Sequence, residues 1–452
     1  MKELHLVCNA HLDPIWLWDW DEGAAAAVST FNSACKLLSE YDFIFCHNER
    51  ILYEWMEEYD PKLFSKIKEL VKEKKWRIIG GWHLQPDCNM PSGESFVRQI
   101  MTGKKYFKEI FDSEPQVAFN VDPFGHSIGL VQILKRCGYN GYIFCRPYPD
   151  GMDLKSDRFM WKGLDGSKIK AYRSSFGYLT LMGDAVNKIR EYIDRYREHE
   201  VGLFLWGVGN HGGGPSRKDL DEISQLMKES DVRIIHSSPE DFFESCRDFE
   251  KFTLKKSLNP SMVGCYTSLT NVKQNHRLLE NMYFSTEKLC SLAAMRGVCD
   301  YPQGELEQAL YDLMTVQFHD TLPGTTIKDG EKTALRMMMH GQEILSRLRA
   351  RMFFSLCLKE KTAEEETYPI FIFNPHPYEI DYNGECEFQL ANQNWEDSYT
   401  AFDAYDSVSG QKIPCQMVKE DSNLNLDWRK RIRYNCTLKP LSITRIDCKP
   451  YI

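Results

Sequence analysis

Residues 4–14 read LHLVCNAHLDP, a short apolar run that leads directly into polar residues. The run 4–9 has the length and composition of a buried strand, and the polar HLDP marks the point where that strand ends. Similar runs follow it, at residues 43–46, 76–82, 117–122, 142–145, 202–209 and 232–238. Amphipathic segments separate most of these runs, at residues 49–73, 94–112, 184–199 and 216–230. This alternation predicts an α/β fold with a seven-stranded, barrel-like parallel sheet and crossover helices.

The pattern changes along the rest of the chain. An additional pair of runs, RFMWKGLDG and SKIKAYRS, predicts a hairpin that turns at Asp165-Gly166. Apolar residues three and four positions apart then predict a helical bundle, with helices at residues 270–297, 304–318 and 329–358. A charged linker, residues 359–367, precedes short runs that are typical of β-structure. We therefore expect an α/β catalytic domain, a helical bundle domain and a partial β-domain, at residues 1–255, 256–358 and 368–452.

The composition excludes several classes of protein. The chain has 452 residues, of which 42% are hydrophobic and 27% charged, so it is globular and not disordered. Its formal net charge is -9 and it has no long basic run, so we expect neither nucleic acid nor a membrane surface as a partner. Its 15 cysteines include no CxxC pair, and most lie in apolar runs such as GYIFC. They are typical of reduced thiols in a cytoplasmic protein, and no signal peptide is visible.

Two polar side chains follow the first predicted strand, His11 and Asp13. Residues i and i+2 of an extended segment point to the same side, so these two side chains can meet one metal ion. Parallel α/β sheets place their sites at the carboxyl ends of their strands, where this pair lies. The alternative interpretation is a polar turn at the strand exit.

Asp122 ends another predicted strand, in the segment NVDPFGHS at residues 120–127. A carboxylate held at this point could bind a metal, attack an electrophile, or do both. It is also an ordinary cap for the next helix. His126, which follows in the same turn, is either an orienting partner of Asp122 or a loop residue.

His319 lies at the end of a predicted bundle helix, in QFHDTLPGTT at residues 317–326. The Pro-Gly turn that follows would direct the imidazole toward the barrel. Added to His11, Asp13 and Asp122, it would complete a set of nitrogen and oxygen ligands that suits Zn²⁺, although Mn²⁺ or Co²⁺ also fits such a set. The alternative is a histidine at a helix terminus that pairs locally with Asp320.

A glycine-rich loop, GVGNHGGGP at residues 207–215, follows one strand and precedes a helix. The nucleotide motifs GxxxxGK[ST] and GxGxxG are both absent, so a phosphate-binding role is disfavoured. We expect its glycines to let a sugar approach the backbone closely.

Further polar and aromatic residues lie at or near other strand exits. Each could contact sugar hydroxyls, and each is as readily a structural residue. These candidates are Trp82, His83, Asp87, Arg146, Tyr266 and Arg277.

Together these segments resemble glycoside hydrolase family 38, the α-mannosidases. The pieces that carry the resemblance are NAHLDPIWLW, VDPFGHS, GNHGGGP, GCYTS and QFHDTLPGTT, in the family's order over residues 4–340. The segment NPHPYEI resembles the start of the family's β-domain. The match is specific, because several unrelated loops would have to agree by chance.

The resemblance implies a zinc-dependent retaining α-mannosidase that hydrolyses α-mannosidic linkages in mannose-containing oligosaccharides. It implies one Zn²⁺ bound by His11, Asp13, Asp122 and His319, with Asp122 also the nucleophile of a covalent mannosyl-Asp intermediate. By the same matching, Asp320 would contact the substrate. This chemistry agrees with the needs of retaining hydrolysis, in which one carboxylate attacks the anomeric carbon. A neighbouring cation would keep that carboxylate ionised.

One departure from the family concerns the acid that protonates the leaving group. Relatives often carry an Asp in the glycine-rich loop, where this chain has Asn210 and His211. An asparagine donates no proton usefully, whereas histidine has an ordinary pKa of about 6.5. His211 is therefore the predicted catalytic acid, with Asp219 as a second candidate.

Two other functions remain open from the sequence. A metal-dependent carbohydrate deacetylase would also use Asp and His residues on an α/β barrel. A mannose-binding, non-catalytic homologue would keep the metal and lack a working acid. The length of the last domain further predicts either missing C-terminal β-domains or a homo-oligomer.

Overall fold

The computed structural model describes residues 1–391, 394–421 and 429–452. The chain divides into two compact units. Unit 1 comprises Met1–Glu280 and Tyr311–His340, and unit 2 comprises Asn281–Leu310 and Gly341–Ile452. All of the predicted metal ligands belong to unit 1.

The first sheet of unit 1 has five strands around the segment that begins the chain. They are β1 (Glu3–Cys8), β2 (Phe45–His47), β3 (Trp76–Ile78), β8 (Val201–Trp206) and β9 (Arg233–His236). Every pairing in this sheet is parallel, with Glu3 opposite Val201 on β8 and Cys8 opposite Phe45 on β2. Because the strands run in one direction, their exits meet at one edge, which is where polar side chains from distant parts of the sequence can converge.

The second sheet of unit 1 also has five strands. They are β4 (Val117–Phe119), β5 (Gly141–Phe144), β6 (Arg158–Lys162), β7 (Lys168–Arg173) and β10 (Thr253–Leu254). The predicted hairpin is confirmed: β6 and β7 pair antiparallel, with Lys162 opposite Lys168, and Gly166 in the turn has a φ of +88°. Glycine adopts that left-handed conformation without the steric cost that a Cβ would bring.

The predicted single barrel of seven parallel strands is corrected by this topology. The described strands of unit 1 form two sheets with the orders β3-β2-β1-β8 and β10-β6-β7-β5-β4, and β9 pairs with β1 beside the first path. The physical reason is the hairpin, because β6 turns back on β7 and joins the second sheet as an antiparallel strand. The α/β class and the parallel pairing of the other strands are as predicted.

Eleven α-helices lie in the described residues. They are α1 (Trp20–Glu40), α2 (Arg50–Tyr59), α3 (Pro61–Lys72), α4 (Gly93–Phe111), α5 (Leu130–Arg136), α6 (Ala185–Arg195), α7 (Arg217–Glu229), α8 (Pro239–Ser245), α9 (Thr270–Met295), α10 (Gln303–Val316) and α11 (Lys328–Cys357). Two 3₁₀ helices cover Asp248–Lys251 and Val263–Thr267. The predicted helix at 49–73 is two helices, because Asp60 caps α3 and Pro61 occupies its first position.

The core of unit 1 consists of the inward faces of both sheets and the apolar stripes of the helices. The largest of its buried side chains are aromatic, among them Trp76, Trp82, Trp161 and Trp206. Aromatic rings bury much apolar surface each, so they dominate the packing energy of such a core. This rigid scaffold positions the loops at the strand exits.

The β-structure predicted after residue 368 is present in unit 2. The strands are β11 (Tyr368–Asn374), β12 (Ile380–Gln389), β13 (Ala401–Asp406), β14 (Lys412–Ile413), β15 (Cys415–Val418), β16 (Arg429–Leu438) and β17 (Ser442–Tyr451). They form two antiparallel sheets, β11-β17-β13-β14 and β12-β16-β15, which share one apolar cluster that includes Phe402, Ile432 and Ile446. The division of the chain at residues 255 and 358 stays a prediction.

Among the helices of the described residues, none combines the length and the apolar character needed to cross a membrane.

Candidate metal centre and active site

The first pair of predicted ligands lies directly after β1 and is held there by the glycine-rich loop. The Asn210 N–H donates to the His11 carbonyl at 2.6 Å, and the Asp13 N–H donates to the Asn210 carbonyl at 2.9 Å. Leu12 and Asn210 thus form a parallel bridge. This pairing keeps residues 11–13 extended, so His11 and Asp13 point to the same side, as the spacing predicts.

Asp122 follows β4 and is held by an arginine that follows β5. Arg146 donates to Asp122 Oδ1 from Nε at 2.8 Å and from Nη2 at 2.5 Å. The guanidinium carbon lies over the rings of Phe124 and Tyr148, 5.6 and 5.4 Å from their centroids. Two hydrogen bonds and two aromatic faces fix the carboxylate in one orientation, in which Oδ2 is not used by Arg146.

His319 follows α10 and has no exposed surface. Its Nδ1 lies 2.9 Å from the carbonyl oxygen of Gln85, which can only accept a hydrogen bond. The proton of the neutral imidazole is therefore on Nδ1, and Nε2 keeps its lone pair for a metal ion.

The four predicted ligands converge in space. His11 Nε2 lies 3.0 Å from Asp13 Oδ1 and 3.6 Å from Asp122 Oδ2, and His319 Nε2 lies 3.4 and 3.5 Å from the same two oxygens. One ligand atom from each residue lies within 4.8 Å of all the others. These four residues come from positions 11 to 319 of the sequence, so their convergence is a property of the fold.

Several polar atoms of this cluster lack a hydrogen-bond partner although they are buried. They are the Nε2 atoms of His11 and His319 and both carboxylate oxygens of Asp13. Burial of unpaired polar atoms is costly, and a cation coordinated by all of them removes that cost. Two nitrogens and two carboxylates also match the donor set that Zn²⁺ prefers. The residues present therefore fit a divalent metal ion.

The electrostatics of the cluster support a bound cation. Burial by itself lowers the pKa of His11, but Asp13 and Asp122 outweigh it and raise the pKa to about 10. Conversely, burial raises the pKa of Asp122, and the two imidazoles outweigh it and hold the pKa well below its usual range. The two buried carboxylates thus require positive charge, which protons on the imidazoles or a divalent cation can supply.

Asp320 lies beside the metal cluster, with Oδ2 3.8 Å from His319 Nε2. Its Oδ1 accepts a hydrogen bond from the Thr325 hydroxyl. Burial, with smaller contributions from Asp13 and Asp122, raises the pKa of Asp320 to about 7. A carboxyl group in this position can hydrogen-bond a ligand that reaches the metal centre.

Asn210 and His211 point toward different groups. The Asn210 side chain accepts a hydrogen bond from the Tyr178 hydroxyl at 3.3 Å, and the Tyr178 ring packs edge-on against His11 with centroids 4.9 Å apart. His211 Nε2 lies 2.8 Å from Glu22 Oε1, and its ring meets Trp18 edge-on at 4.5 Å. Asn210 therefore contacts a tyrosine that packs against a predicted metal ligand, whereas His211 contacts Glu22 and Trp18.

Asp219, the second candidate acid, caps helices in this structure. Its carboxylate accepts hydrogen bonds from the N–H groups of Gly183 and Ala185 and from the Ser216 hydroxyl. The side chain is buried in these contacts, which join the starts of α6 and α7. These contacts give Asp219 a capping role.

Two glycines of the glycine-rich loop are explained by close contacts within the chain, whereas the sequence predicted that they let a sugar approach the backbone. A Cβ at Gly207 would lie 2.0 Å from the Asn9 carbonyl oxygen, and one at Gly212 would lie 2.3 Å from Thr30 Oγ1. Both residues also have a φ above +100°. The chain itself, and not a sugar, therefore requires glycine at these positions.

The other predicted contact residues divide into two groups. Trp82 has no exposed surface and packs edge-on against Phe96 in the core, so a sugar cannot touch its ring without a rearrangement. Tyr266 donates to Asp87 Oδ1 at 3.1 Å and accepts from Asn89 at 2.8 Å. Trp82 is thus a core residue in this structure, and Tyr266 keeps a partly buried hydroxyl.

Sequence reasoning missed three residues that contact the ligands or lie close to them: Gln85, Glu49 and Tyr178. Gln85 contacts both imidazoles, and Glu49 accepts a hydrogen bond from its backbone. Tyr178 follows β7, so the rule that sites lie at strand exits would have found it. The same rule covers Glu49, two residues after β2, and Gln85, in the segment that follows β3, but it does not single them out from their neighbours.

Comparisons with known proteins identify the class of this fold and site. The N-terminal domain of glycosyl hydrolases family 38 matches residues 1–257, and the alpha mannosidase middle domain matches residues 262–355. The chain belongs to glycosyl hydrolases family 38.

Individual relatives agree with this assignment. Alpha-mannosidase 2C1 of Mus musculus is 28% identical over 357 residues, which cover 76% of this chain and 34% of the relative. Alpha-mannosidase G of Dictyostelium discoideum is 28% identical over 336 residues, 71% of this chain and 30% of the relative. The chain thus spans about a third of the length of these relatives.

The fold is also similar to a solved structure. The crystal structure of an alpha-mannosidase from Enterococcus faecalis V583 superposes with a TM-score of 0.83 at 17% sequence identity. The superposition covers 100% of this chain and 56% of the other. At this identity the likeness establishes the fold.

Proposed function

We propose that the protein is a zinc-dependent retaining α-mannosidase that hydrolyses α-mannosidic linkages in mannose-containing oligosaccharides. The observation that carries the proposal is the position of Asp122. Arg146 holds its Oδ1, and its Oδ2 lies 3.5–3.6 Å from the Nε2 atoms of His319 and His11. A single carboxylate can thus share the metal and attack a sugar bound there. Membership of glycosyl hydrolases family 38 supports the same conclusion.

The reaction has two steps, and Asp122 takes part in both. In the first step its carboxylate attacks the anomeric carbon, the bond from that carbon to the leaving oxygen breaks, and an acid protonates that oxygen. This forms a covalent mannosyl-Asp122 ester. In the second step water attacks the anomeric carbon, the ester bond breaks, and the conjugate base of the acid takes the proton of the water. Two inversions give mannose with its original configuration.

His11, Asp13, Asp122 and His319 would hold the metal. When bound, Zn²⁺ would supply Lewis-acid contacts for vicinal hydroxyls of the mannose ring and keep Asp122 ionised. Arg146 contributes independently, because its bidentate contact orients the carboxylate and balances its charge. Asp320, Arg146 and Tyr266 are the proposed polar contacts of the substrate, and Asp320 Oδ2 lies 3.8 Å from His319 Nε2.

His211 is the proposed acid and base. Its loop pairs with residues 11–13, so it lies at the edge where the ligands emerge. Its imidazole contacts the Glu22 carboxylate, with Nε2 2.8 Å from Oε1. About half of the side chain is exposed, so a rotation about its own bonds can turn it toward the substrate.

A second function is favoured by one observation, the amide at position 210 in the glycine-rich loop. If His211 does not reach the leaving group, the site keeps its metal and its sugar contacts without an acid. The protein would then be a mannose-binding, non-catalytic homologue.

Incubation of the zinc-loaded protein with an aryl α-mannoside separates these functions. The proposal predicts release of mannose as the α-anomer, followed by NMR before mutarotation, and a loss of turnover with chelator that Zn²⁺ reverses. Release of the β-anomer would contradict the covalent intermediate. Binding without turnover would support the non-catalytic function, and release of acetate from an acetylated sugar would support a deacetylase.

We further propose a cytoplasmic location. All 15 cysteines lie in the described residues and carry free thiols. Free thiols persist in reducing compartments, and disulfides form in oxidising ones. Thiol titration of the unfolded protein, prepared with alkylation at cell lysis, should count 15 thiols. A substantial fraction of disulfide would contradict the proposal.

A further inference from the structure

The turn that begins at Asp122 contacts Arg146 from its guanidinium to its carbonyl. Asp122 accepts hydrogen bonds from the guanidinium nitrogens, and the guanidinium carbon lies over the Phe124 ring, 5.6 Å from its centroid. His126 reaches the other end of the arginine, because its Nε2 lies 3.0 Å from the Arg146 carbonyl oxygen. Alternate residues of one turn thus hold both the side chain and the backbone of the arginine that orients Asp122.

The two partners of the His126 ring define its tautomer. A carbonyl oxygen only accepts hydrogen bonds, so Nε2 carries the proton and donates it to Arg146. Nδ1 keeps its lone pair and accepts from the Tyr142 hydroxyl at 2.6 Å. Burial lowers the pKa of His126 to about 3, so the ring is neutral at neutral pH and keeps this pattern. Both ring nitrogens are therefore paired in a single orientation of the imidazole.

The backbone of His126 is held independently of its side chain. Its N–H donates to the Leu258 carbonyl at 3.1 Å, and its carbonyl accepts the Leu258 N–H at 2.9 Å. The N–H of the next residue, Ser127, donates to the Cys88 carbonyl at 3.1 Å. A substitution at position 126 therefore removes the contacts of the imidazole and leaves these backbone contacts available.

We propose that His126 is a positioning residue of the active site, which fixes the Arg146 carbonyl and thereby keeps the guanidinium in its bidentate contact with Asp122. The proposal rests on the proposed function, in which Asp122 is the nucleophile. The sequence left open whether His126 orients Asp122 or is a loop residue, and the contact with Arg146 makes the orientation indirect. Misplacement of reacting groups by about 1 Å can lower a rate about 100-fold.

A merely structural imidazole would satisfy the buried Tyr142 hydroxyl and the Arg146 carbonyl, and its loss would lower stability alone. His5 is the matched comparison, because it is also buried in unit 1 and also has a partner at each ring nitrogen. Its Nδ1 lies 2.7 Å from Ser237 Oγ, and its Nε2 lies 3.0 Å from Glu3 Oε1. Neither partner is a proposed metal ligand or substrate contact, so the same substitutions at the two histidines separate the two roles.

The first test measures kcat on an aryl α-mannoside and the bound Zn²⁺ of zinc-loaded variants. The amide nitrogen of glutamine can replace Nε2, whereas the amide of the shorter asparagine cannot reach the Arg146 carbonyl. We expect His126→Asn to lower kcat about 10-fold and to keep one Zn²⁺ per chain. His126→Gln should restore most of the lost kcat. His5→Asn and His5→Gln should leave kcat per folded molecule unchanged.

A double-mutant cycle with Arg146→Lys tests whether His126 acts through Arg146. Lysine cannot make the bidentate contact, so in that chain the loss of the carbonyl contact has no such contact left to misalign. We expect His126→Asn to lower kcat less than about twofold in the Arg146→Lys chain, against about 10-fold in the parent chain. A loss of stability alone would not depend on the residue at position 146 in this way.

Tyr142→Phe carries the test if His126→Asn does not fold. It removes only the hydroxyl that holds the His126 ring, and it should lower kcat in the parent chain but not in the Arg146→Lys chain. Tyr139→Phe is its control, because Tyr139 is equally buried and its hydroxyl donates to the Gly80 carbonyl at 2.7 Å.

The outcomes distinguish the positioning role from the proposed function. Parent-level kcat in His126→Asn, no rescue by glutamine, or equal losses in the parent and Arg146→Lys chains would overturn the positioning role and leave the proposed function intact. A loss of bound Zn²⁺ that accounts for the loss of kcat in His126→Asn would also overturn it. A zinc-loaded parent chain without turnover would overturn both proposals.

Discussion

Arg146 and Asp122 form a bidentate contact in which two guanidinium nitrogens donate to the same carboxylate oxygen, Oδ1. The arrangement leaves Oδ2 to face the imidazoles of His11 and His319. The two oxygens of Asp122 thus have different environments, one paired with an arginine and one in the metal cluster. In the proposed mechanism this asymmetry lets a single carboxylate act as a ligand and as a nucleophile.

Replacement of Asp122 tests its role as the nucleophile. Asp122→Asn keeps the shape and removes the negative charge, so we expect turnover of an aryl α-mannoside to fall at least about 1000-fold. Asp219→Asn is the matched control, since Asp219 is equally buried and only caps helices. It should lower stability and keep turnover per folded molecule. Undiminished turnover of Asp122→Asn, or of Asp122→Ala, would end the covalent mechanism.

Replacement of Arg146 tests the orientation of that nucleophile. Lysine keeps the charge but cannot make the bidentate contact, and hydrogen bonds to a charged group contribute about 1.5–3 kcal/mol. We expect Arg146→Lys to lower kcat about 10- to 100-fold. In the control Arg173→Lys, the substituted arginine pairs at 2.7 Å with Asp157, which is not one of the proposed ligands. Equal effects of the two variants on kcat would show that Arg146 acts only through stability.

The role of His211 as the proposed acid is tested by two measurements: turnover of substrates with different leaving groups, and the pH profile of kcat/KM. His211→Ala should lower turnover of a natural disaccharide about 100- to 10,000-fold, and of an activated aryl mannoside much less, because a good leaving group needs little protonation. The basic limb of the kcat/KM profile should disappear. Glu22→Gln removes the 2.8 Å contact of His211 and should have a smaller effect. A His211→Ala profile with both limbs intact rules out His211.

A pH-dependent prediction concerns stability, away from the site. Burial raises the pKa of Glu240 from 4.5 to about 7, and the N–H groups of Gln116 and Val117 only partly offset this shift. The pKa of Glu240 is higher in the folded protein than in the unfolded chain. Its contribution to the free energy of unfolding is therefore fully present below pH 4.5 and is lost as the pH rises through about 7. The side chain is partly exposed, so we expect a change of about 1–2 kcal/mol.

Glu240→Gln removes this titration and keeps an acceptor for both N–H groups. The free energy of unfolding of the variant, relative to the parent chain, should therefore increase between about pH 4.5 and pH 7. Denaturant titrations at a series of pH values measure this difference. A difference that stays constant, or decreases, over that range would contradict the assignment.

The convergence of His11, Asp13 and Asp122, three of the proposed metal ligands, could be predicted from the sequence because each follows a rule that the backbone enforces. His11 and Asp13 are two residues apart in an extended segment, and Asp122 ends a parallel strand. Parallel strands bring their exits to one edge, so residues that are distant in sequence meet without any detailed knowledge of packing. The predicted helices at 270–297, 304–318 and 329–358 agree with α9, α10 and α11 within two residues, since their apolar periodicity is long and regular.

Other features depend on tertiary packing that no local pattern encodes. Trp82 follows Gly80 and Gly81, whose φ values of +71° and +79° turn the exit of β3 and direct the indole into the core. The separation into two sheets depends on which strand the hairpin joins. Gln85 follows Trp82 in the same loop, and its contacts come from four distant segments, so they could be seen only in the structure.

The most direct test of the metal centre is the zinc content of the purified chain, measured by mass spectrometry together with total protein. We expect one Zn²⁺ per chain after loading, and much less than one in His11→Ala and in His319→Ala, although these histidines are 308 positions apart in the sequence. His126→Ala, which removes a buried histidine outside the cluster, should keep the metal. A chain that binds no divalent metal, or histidine variants that keep full occupancy, would contradict the account.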